Sequence, residues 1–399
     1  MIEALADTPA VVINGARQSG KSTLVASLPY PGSVQIVTLD DPATRQAARF
    51  DPRAFLQRQV DTLVIDEVQL EPVLFRALKA EIDRDRRPGR FLLTGSSRLL
   101  STTDLADALV GRVEVIELWP FSQDEIEQSR SRFVELLFDD PQALLHPGHE
   151  SRRRLVERVC SGGFPDAVRR HPGRRQTWFR SYVDTTVETV VHQAADVTRR
   201  AEIPRLLRLC AARTGQELNV ANLADEFAIP ARTVDGYLTL LAGAFLVQLI
   251  PAWSTNIGSK VVRRPKLVVV DSGLAAATVG ATAATVDRPG GLFGPLLETF
   301  VAMELRKQVT WDPSRPALHH FRDRGGIEVD LVLEHPDGRV AGVEVKATST
   351  PRREDFKGLR YLADRLGDRF AFGALLTAAP EATPFGPALA ALPVETLWR

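Results

Sequence analysis

A chain of 399 residues is long enough for two or three domains, each burying its own core. With 44% hydrophobic and 25% charged residues it is neither disordered nor fibrous, and 50 basic against 50 acidic residues exclude a chain that holds nucleic acid by bulk charge. No run approaches the ~20 apolar residues of a membrane helix, because the richest, YLTLLAGAFLVQLIPAW, is interrupted by Gly243, Gln248 and Pro251.

In chain order, the segment from Met1 through Glu3 and Asp7 carries no basic-then-apolar leader and leads into a strand, so a soluble, cytoplasmic protein is expected. Val11, Val12 and Ile13 predict a short buried strand, followed by NGARQSGKS and then by STLVASL with helical spacing. The loop matches G-x-x-x-x-G-K-[ST] through Gly15, Gly20, Lys21 and Ser22, in the strand, loop and helix order that motif requires. Its chemistry calls for ATP and Mg²⁺. Backbone N–H groups from Gly15, Ala16, Arg17, Gln18, Ser19 and Gly20 turn toward phosphates and the helix N-terminus adds its positive dipole end. Lys21 then reaches the β and γ oxygens, and Ser22, with Thr23 beside it, ligates the cation.

SVQIVTLDD predicts a second strand and TLVIDEVQ a third that ends in Asp66 and Glu67. That is a Walker B strand, whose first carboxylate holds Mg²⁺ and whose second polarises the attacking water. A strand between the two motifs is the arrangement of ATPases with an added catalytic glutamate. EPVLFRALKAEIDRDRR reads as an amphipathic helix with Leu74, Leu78 and Ile82 on one stripe. GRFLLTGSS reads as a strand ending in Thr94, Ser96 and Ser97, a γ-phosphate sensor or an ordinary polar strand end, with Ser96 a candidate nucleotide contact. Arg112 opens the strand of LVGRVEVIELWPFS. It is a candidate finger for transition-state charge, in cis or from a second copy of a homo-oligomer, or else a surface arginine.

The series INGARQSGKST, LVIDEVQ, LLTGSS, LVGRVEVIELWPFS, SGGFPDAV and PKLVVVDSGL resembles one family: prokaryotic AAA-type ATP-binding proteins that carry a C-terminal domain of uncharacterised function. The resemblance covers nearly the whole chain. It implies an ATP-binding parallel α/β domain with flanking helices and a C-terminal nuclease-like fold. Relatives generally carry a helical segment upstream that helps enclose the adenine, whereas this chain begins almost at the first strand.

From about Arg199 to Pro265 the pattern is helical and then extended. Leu223, Ala224, Phe227, Ile229, Val234, Leu238 and Leu241 have helix-turn-helix spacing, Pro230 opens the second helix, and FLVQLIPAW and KLVVVDSG supply strands for a wing. The second helix offers base edges little beyond Arg232 and Thr233, so partner docking and DNA contact both stay open. In the tail, GGIEVDLVLEHPDGRVAGVEVKAT reads as two strands around a turn, and period-2 alternation sends Asp330, Glu344 and Lys346 to one side. D-x13-E-x-K across a hairpin is similar to the PD-(D/E)xK nuclease core, with Asp330 and Glu344 as Mg²⁺ ligands, Lys346 orienting water and Glu298 as an extra acid. A solvent-facing hairpin of alternating charge fits the same letters. Arginine-rich pieces such as SRRRLVERV and RRHPGRR read as solvated helix faces or a local basic groove, and Cys160 and Cys210 as small buried side chains.

The chain therefore reads as an α/β P-loop ATPase domain over 1–130, a helical linker over 131–198, a winged-helix-like region over 199–285 and a nuclease-like α/β domain over 286–399. Its expected activity is Mg²⁺-dependent ATP hydrolysis coupled to the C-terminal domains. An ATP-gated Mg²⁺-dependent nuclease and a non-catalytic DNA-binding regulator are the alternatives, with DNA or a protein as partner and no membrane.

Overall fold

A computed structural model describes residues 1–96, 109, 111–193, 201–254 and 264–399; Ser97 and residues 255–263, which separate the two stretches expected to supply wing strands, lie outside the described residues. The chain forms two compact units, Met1–Pro120 with Gly243–Phe245, and Phe121–Ala242 with Leu246–Arg399. The first unit runs from Met1 to Pro120. Residues 131–399, apart from Gly243–Phe245, lie in the second unit.

The first unit starts with a helix, Ile2–Asp7, where a direct run into a strand was expected. Five parallel strands follow: β1 (Ala10–Gly15), β2 (Val34–Thr38), β3 (Thr62–Asp66), β4 (Phe91–Gly95) and β5 (Val113–Leu118). They assemble in the order β2-β3-β4-β1-β5, so β4 lies between the loop-bearing β1 and the carboxylate-bearing β3. The central three are buried along their whole length, which is why they read as unbroken apolar runs, while β2 and β5 are the less buried edges. One face packs on Leu74, Leu78 and Ile82 of the helix Val73–Arg84, the predicted stripe.

In the second unit, helices Val220–Phe227 and Ala231–Gly243 meet at Pro230 as expected. Strands β6 (Gln216–Glu217), β7 (Val247–Ile250) and β8 (Lys266–Val269) form an antiparallel sheet in the order β6-β8-β7. The tail contributes β9 (Ala317–Arg322), β10 (Glu328–Glu334), β11 (Val340–Lys346), β12 (Phe370–Thr377), β13 (Thr383–Pro384) and β14 (Leu389–Pro393). These form a six-stranded mixed sheet in the order β13-β14-β12-β11-β10-β9. Helix Phe293–Trp311 precedes β9, and helix Lys357–Leu366 joins β11 to the parallel β12. The two sheets meet where Ala252, just past β7, bridges His320 on β9.

The motifs SGGFPDAV and PKLVVVDSGL interlock. Asp271 accepts from the Gly163 N–H at 2.6 Å and caps the helix Ser272–Thr278 through the Leu274 N–H at 2.8 Å, while the Gly163 carbonyl accepts from the Phe121 N–H at 2.8 Å. Gly163 has no room for a side chain, since a Cβ there would stand 2.0 Å from the Phe121 carbonyl oxygen. These letters hold the unit together. Both cysteines are unbridged, and burial pushes the Cys160 thiol up to about 11 and that of Cys210 to about 12, which leaves them inert at neutral pH. Among the described residues no helix is long and apolar enough to cross a membrane.

Candidate functional site

The loop after β1 runs into the helix Lys21–Ser27, so Lys21 is its first helical residue and the helix N-terminus faces the loop. Gly20 takes φ 98°, a left-handed turn that a side chain would strain. Gly15 is required for a different reason from the one its motif suggests: a Cβ there would lie 2.2 Å from the Leu118 carbonyl oxygen of β5. Lys21 is buried and donates to the Gly15 and Ala16 carbonyls at 3.0 and 2.8 Å. Burial lowers its pKa against the pull of Glu67 and Asp66. Ala16 is buried, Arg17 half-buried and Gln18 exposed with φ 58°; Ser19 is buried and its Oγ has no hydrogen-bond partner, while Ser22 and Thr23 are exposed.

The end of β3 closes the other side. Ser22 Oγ donates to Asp66 Oδ2 at 3.0 Å, and the Thr94 hydroxyl of β4 donates to Asp66 Oδ1. The same hydroxyl accepts from the Glu67 N–H at 3.1 Å. Glu67 sits at φ 56°, a conformation that costs a non-glycine residue about 1–3 kcal/mol and that clusters at working sites. Gln69 donates to the Glu67 carboxylate and reaches Ser96 Oγ at 3.2 Å. Thr94 thus braces the Asp66 carboxylate and the Glu67 backbone, and Gln69, to which the sequence reading gave no role, ties the Glu67 carboxylate to Ser96. Ser22 and Asp66 offer the hard oxygens suited to a divalent cation.

Arg112 is not brought to this cluster. Leu118 pairs with Gly15 at the loop end of the sheet, and Arg112 lies six positions upstream, roughly 20 Å away along the strand. There it forms a two-pronged pair with Asp83, Nε to Oδ1 at 2.8 Å and Nη2 to Oδ2 at 2.9 Å.

Residues 7–127 match the family model described as an AAA domain. With this loop, strand order and carboxylate pair, the match supports a P-loop ATPase fold and ATP binding at family level. Residues 152–285 and 293–397 match two models described as domains of unknown function, DUF8612 and DUF4143. The chain is 29% identical over 351 residues to an uncharacterized protein of Mycobacterium tuberculosis, covering 87% of this chain and 72% of that one. Likeness to an uncharacterized protein of Haemophilus influenzae is 24% over 325 residues, 74% of each chain. A Walker-type ATPase of Pyrococcus abyssi is similar in structure at a TM-score of 0.39 and 16% identity, over 69% of this chain and 93% of that one.

The second unit does gather the tail residues. Asp330 on β10 and Glu344 on β11 are buried, which removes the solvent-facing reading of the hairpin. Asp330 Oδ2 accepts from the Val345 N–H at 3.0 Å, Glu344 Oε2 from the Asp330 N–H at 3.4 Å, and Glu344 Oε1 from Lys346 Nζ at 2.6 Å. Lys266, at the start of β8, completes the group: its Nζ is 2.5 Å from Glu298 Oε1 and 3.2 Å from Asp330 Oδ1. Burial, reinforced by Asp330, pushes Glu298 up to about 7 and Glu344 up to about 8. Burial opposes the charge of both lysines, but the carboxylates beside them outweigh it and raise both. A cavity of about 550 Å³ opens beside Lys266, Glu298 and Asp330. Among the described residues, no three His, Cys, Asp or Glu side chains form a cage for a metal ion.

Proposed function

We propose that the chain binds ATP with Mg²⁺ in the loop after β1, hydrolyses it, and uses the nucleotide state to control its second unit. The observation that carries this is the continuous set Ser22, Asp66, Thr94 and Glu67, which joins the loop to the carboxylate strand through hydrogen bonds. The site fits the nucleotide. The buried Ser19 Oγ lacks a partner, and Lys21 gives two of its three donors to loop carbonyls and has one left for a phosphate chain. Bound Mg·ATP supplies an electrophilic γ-phosphorus. Around it Lys21 neutralises the β and γ oxygens, Ser22 and Asp66 hold the cation, and Glu67, braced by Thr94 and Gln69, orients the water and draws its proton. Arg112 reaches that centre only if a second copy presents it.

The second unit is read as the responder. Its helix pair and β6-β8-β7 sheet support a winged-helix-like arrangement. The order of helix, β9 to β11, helix and β12, with Asp330, Glu344 and Lys346 gathered, supports likeness to the PD-(D/E)xK core. Arg232 and Asp235 are both exposed on helix Ala231–Gly243 and cancel in charge, which favours docking to a protein over reading DNA.

The test is Mg²⁺-dependent phosphate release by the full chain, with nucleotide binding measured in parallel. Lys21→Ala should lose both; Glu67→Gln should keep binding and lose turnover. Wild-type turnover in Lys21→Ala would remove the assignment.

A further inference from the structure

We propose that Lys266 is a built-in cation: its ammonium takes the place of a divalent ion in the tail cluster, so the nuclease-like core binds no catalytic metal while Lys266 stands there. The argument starts from the oxygens. A hard divalent cation needs carboxylate oxygens that face a common point and are free to approach to about 2.1 Å for Mg²⁺. Here both oxygens of Asp330 are engaged, Oδ1 by Lys266 Nζ at 3.2 Å and Oδ2 by the Val345 N–H at 3.0 Å. Both oxygens of Glu344 are engaged as well, Oε1 by Lys346 Nζ at 2.6 Å and Oε2 by the Asp330 N–H at 3.4 Å.

Position and rigidity point the same way. Lys266 Nζ lies between Asp330 and Glu298, the point at which a cation bridging those two acids would sit. A metal and an ammonium cannot share it. The lysine is only 7% exposed and its backbone is fixed in β8 opposite Ile250, next to the segment that bridges to β9, so its head group is delivered by the fold. Charge completes the argument. Asp330, Glu298 and Glu344 face two ammonium groups, and a Mg²⁺ entering between Asp330 and Glu298 would have to expel the buried Lys266 from the acids that hold it. The letters D, E and K of the nuclease pattern are all in place, and a fourth residue from another sheet changes what they can do.

The experiment measures Mn²⁺ stoichiometry by electron paramagnetic resonance on the full, nucleotide-free chain, together with nicking of supercoiled plasmid in Mg²⁺ and in Mn²⁺. An Asp66→Ala background removes the phosphate-loop cation site from the count. Wild type and Asp330→Asn should bind equal Mn²⁺ and neither should nick. Lys266→Met should gain one Mn²⁺ per chain, and Asp330→Asn should abolish that gain; Lys266→Arg, which keeps the charge, should gain none. Asp330-dependent Mn²⁺ binding or nicking by the chain with Lys266 intact overturns the proposal, and so does a folded Lys266→Met that gains no ion. If Lys266→Met fails to fold, the comparison of wild type with Asp330→Asn still decides. ATP turnover is read in the other unit, so the ATPase reading and this one fail separately.

Discussion

Thr94→Val tests the nucleotide site at the point where structure and sequence assign different work to one residue. Valine keeps the shape of threonine and removes the hydroxyl. At this fully buried position two hydrogen bonds are lost together, the one donated to Asp66 Oδ1 and the one accepted from the Glu67 N–H at 3.1 Å. A hydrogen bond to a charged group contributes about 1.5–3 kcal/mol and an N–H stranded without a partner costs about 1–3 kcal/mol, so the first unit should lose about 3 kcal/mol. Glu67 is held at φ 56° partly by that N–H contact, and its carboxylate is the proposed base. If one to two tenths of a nanometre of drift raises the barrier by about 1.4–2.7 kcal/mol, turnover falls roughly 10- to 100-fold. Lys21 and Ser22 are untouched, so nucleotide affinity should stay within about threefold, less than 1 kcal/mol. The assay pairs phosphate release with ATP binding and urea unfolding. Turnover within twofold of wild type refutes the bracing role; a loss of affinity that tracks the loss of turnover would make Thr94 a direct phosphate contact instead.

Three further outcomes follow from the same geometry. Gly163→Ala places a Cβ 2.0 Å from the Phe121 carbonyl oxygen and forces apart the contacts that satisfy Asp271, so the second unit should lose about 3 kcal/mol or more and melt several degrees lower; an unchanged melting temperature contradicts the interlock. Glu344 is raised to about 8 by burial and by Asp330, so its contribution to stability is complete below its ordinary value near 4.5 and is lost as pH rises through 8. Glu344→Gln cannot ionise and should flatten the fall in melting temperature between pH 5 and pH 9, leaving the part due to Glu298, among Asp330, Lys266 and Lys346; parallel wild-type and variant profiles would refute this. Arg112→Ala should leave the turnover of dilute chains unchanged, because Arg112 sits at the far end of β5 beside Asp83; a loss under conditions where the chain is monomeric would show that it acts on its own nucleotide.

What the sequence made legible was local. The phosphate loop could be read because its chemistry constrains a handful of consecutive residues: a buried strand, a left-handed turn at Gly20 and a lysine at the first position of a helix. Asp66 and Glu67 were readable for the same reason, as were the stripe of Leu74, Leu78 and Ile82 and the alternation that paired Asp330 with Glu344 and Lys346. What stayed hidden depended on which strands become neighbours. Thr94 meets Asp66 only because β4 docks beside β3, a matter of crossover connections rather than of either strand's letters. The position of Arg112 was inferable in principle, since in a parallel sheet the residue before a strand lies at the end away from the loops that follow the strands. Lys266 was not. It stands 64 residues before Asp330 and reaches it only because the chain past β7 runs beside β9, so no spacing rule within the hairpin reports it. A motif fixes which groups converge, but the chemistry of a buried cluster is set by the sum of its charges, and one ammonium from a neighbouring sheet is enough to turn a metal-binding pattern into a closed ion-pair network.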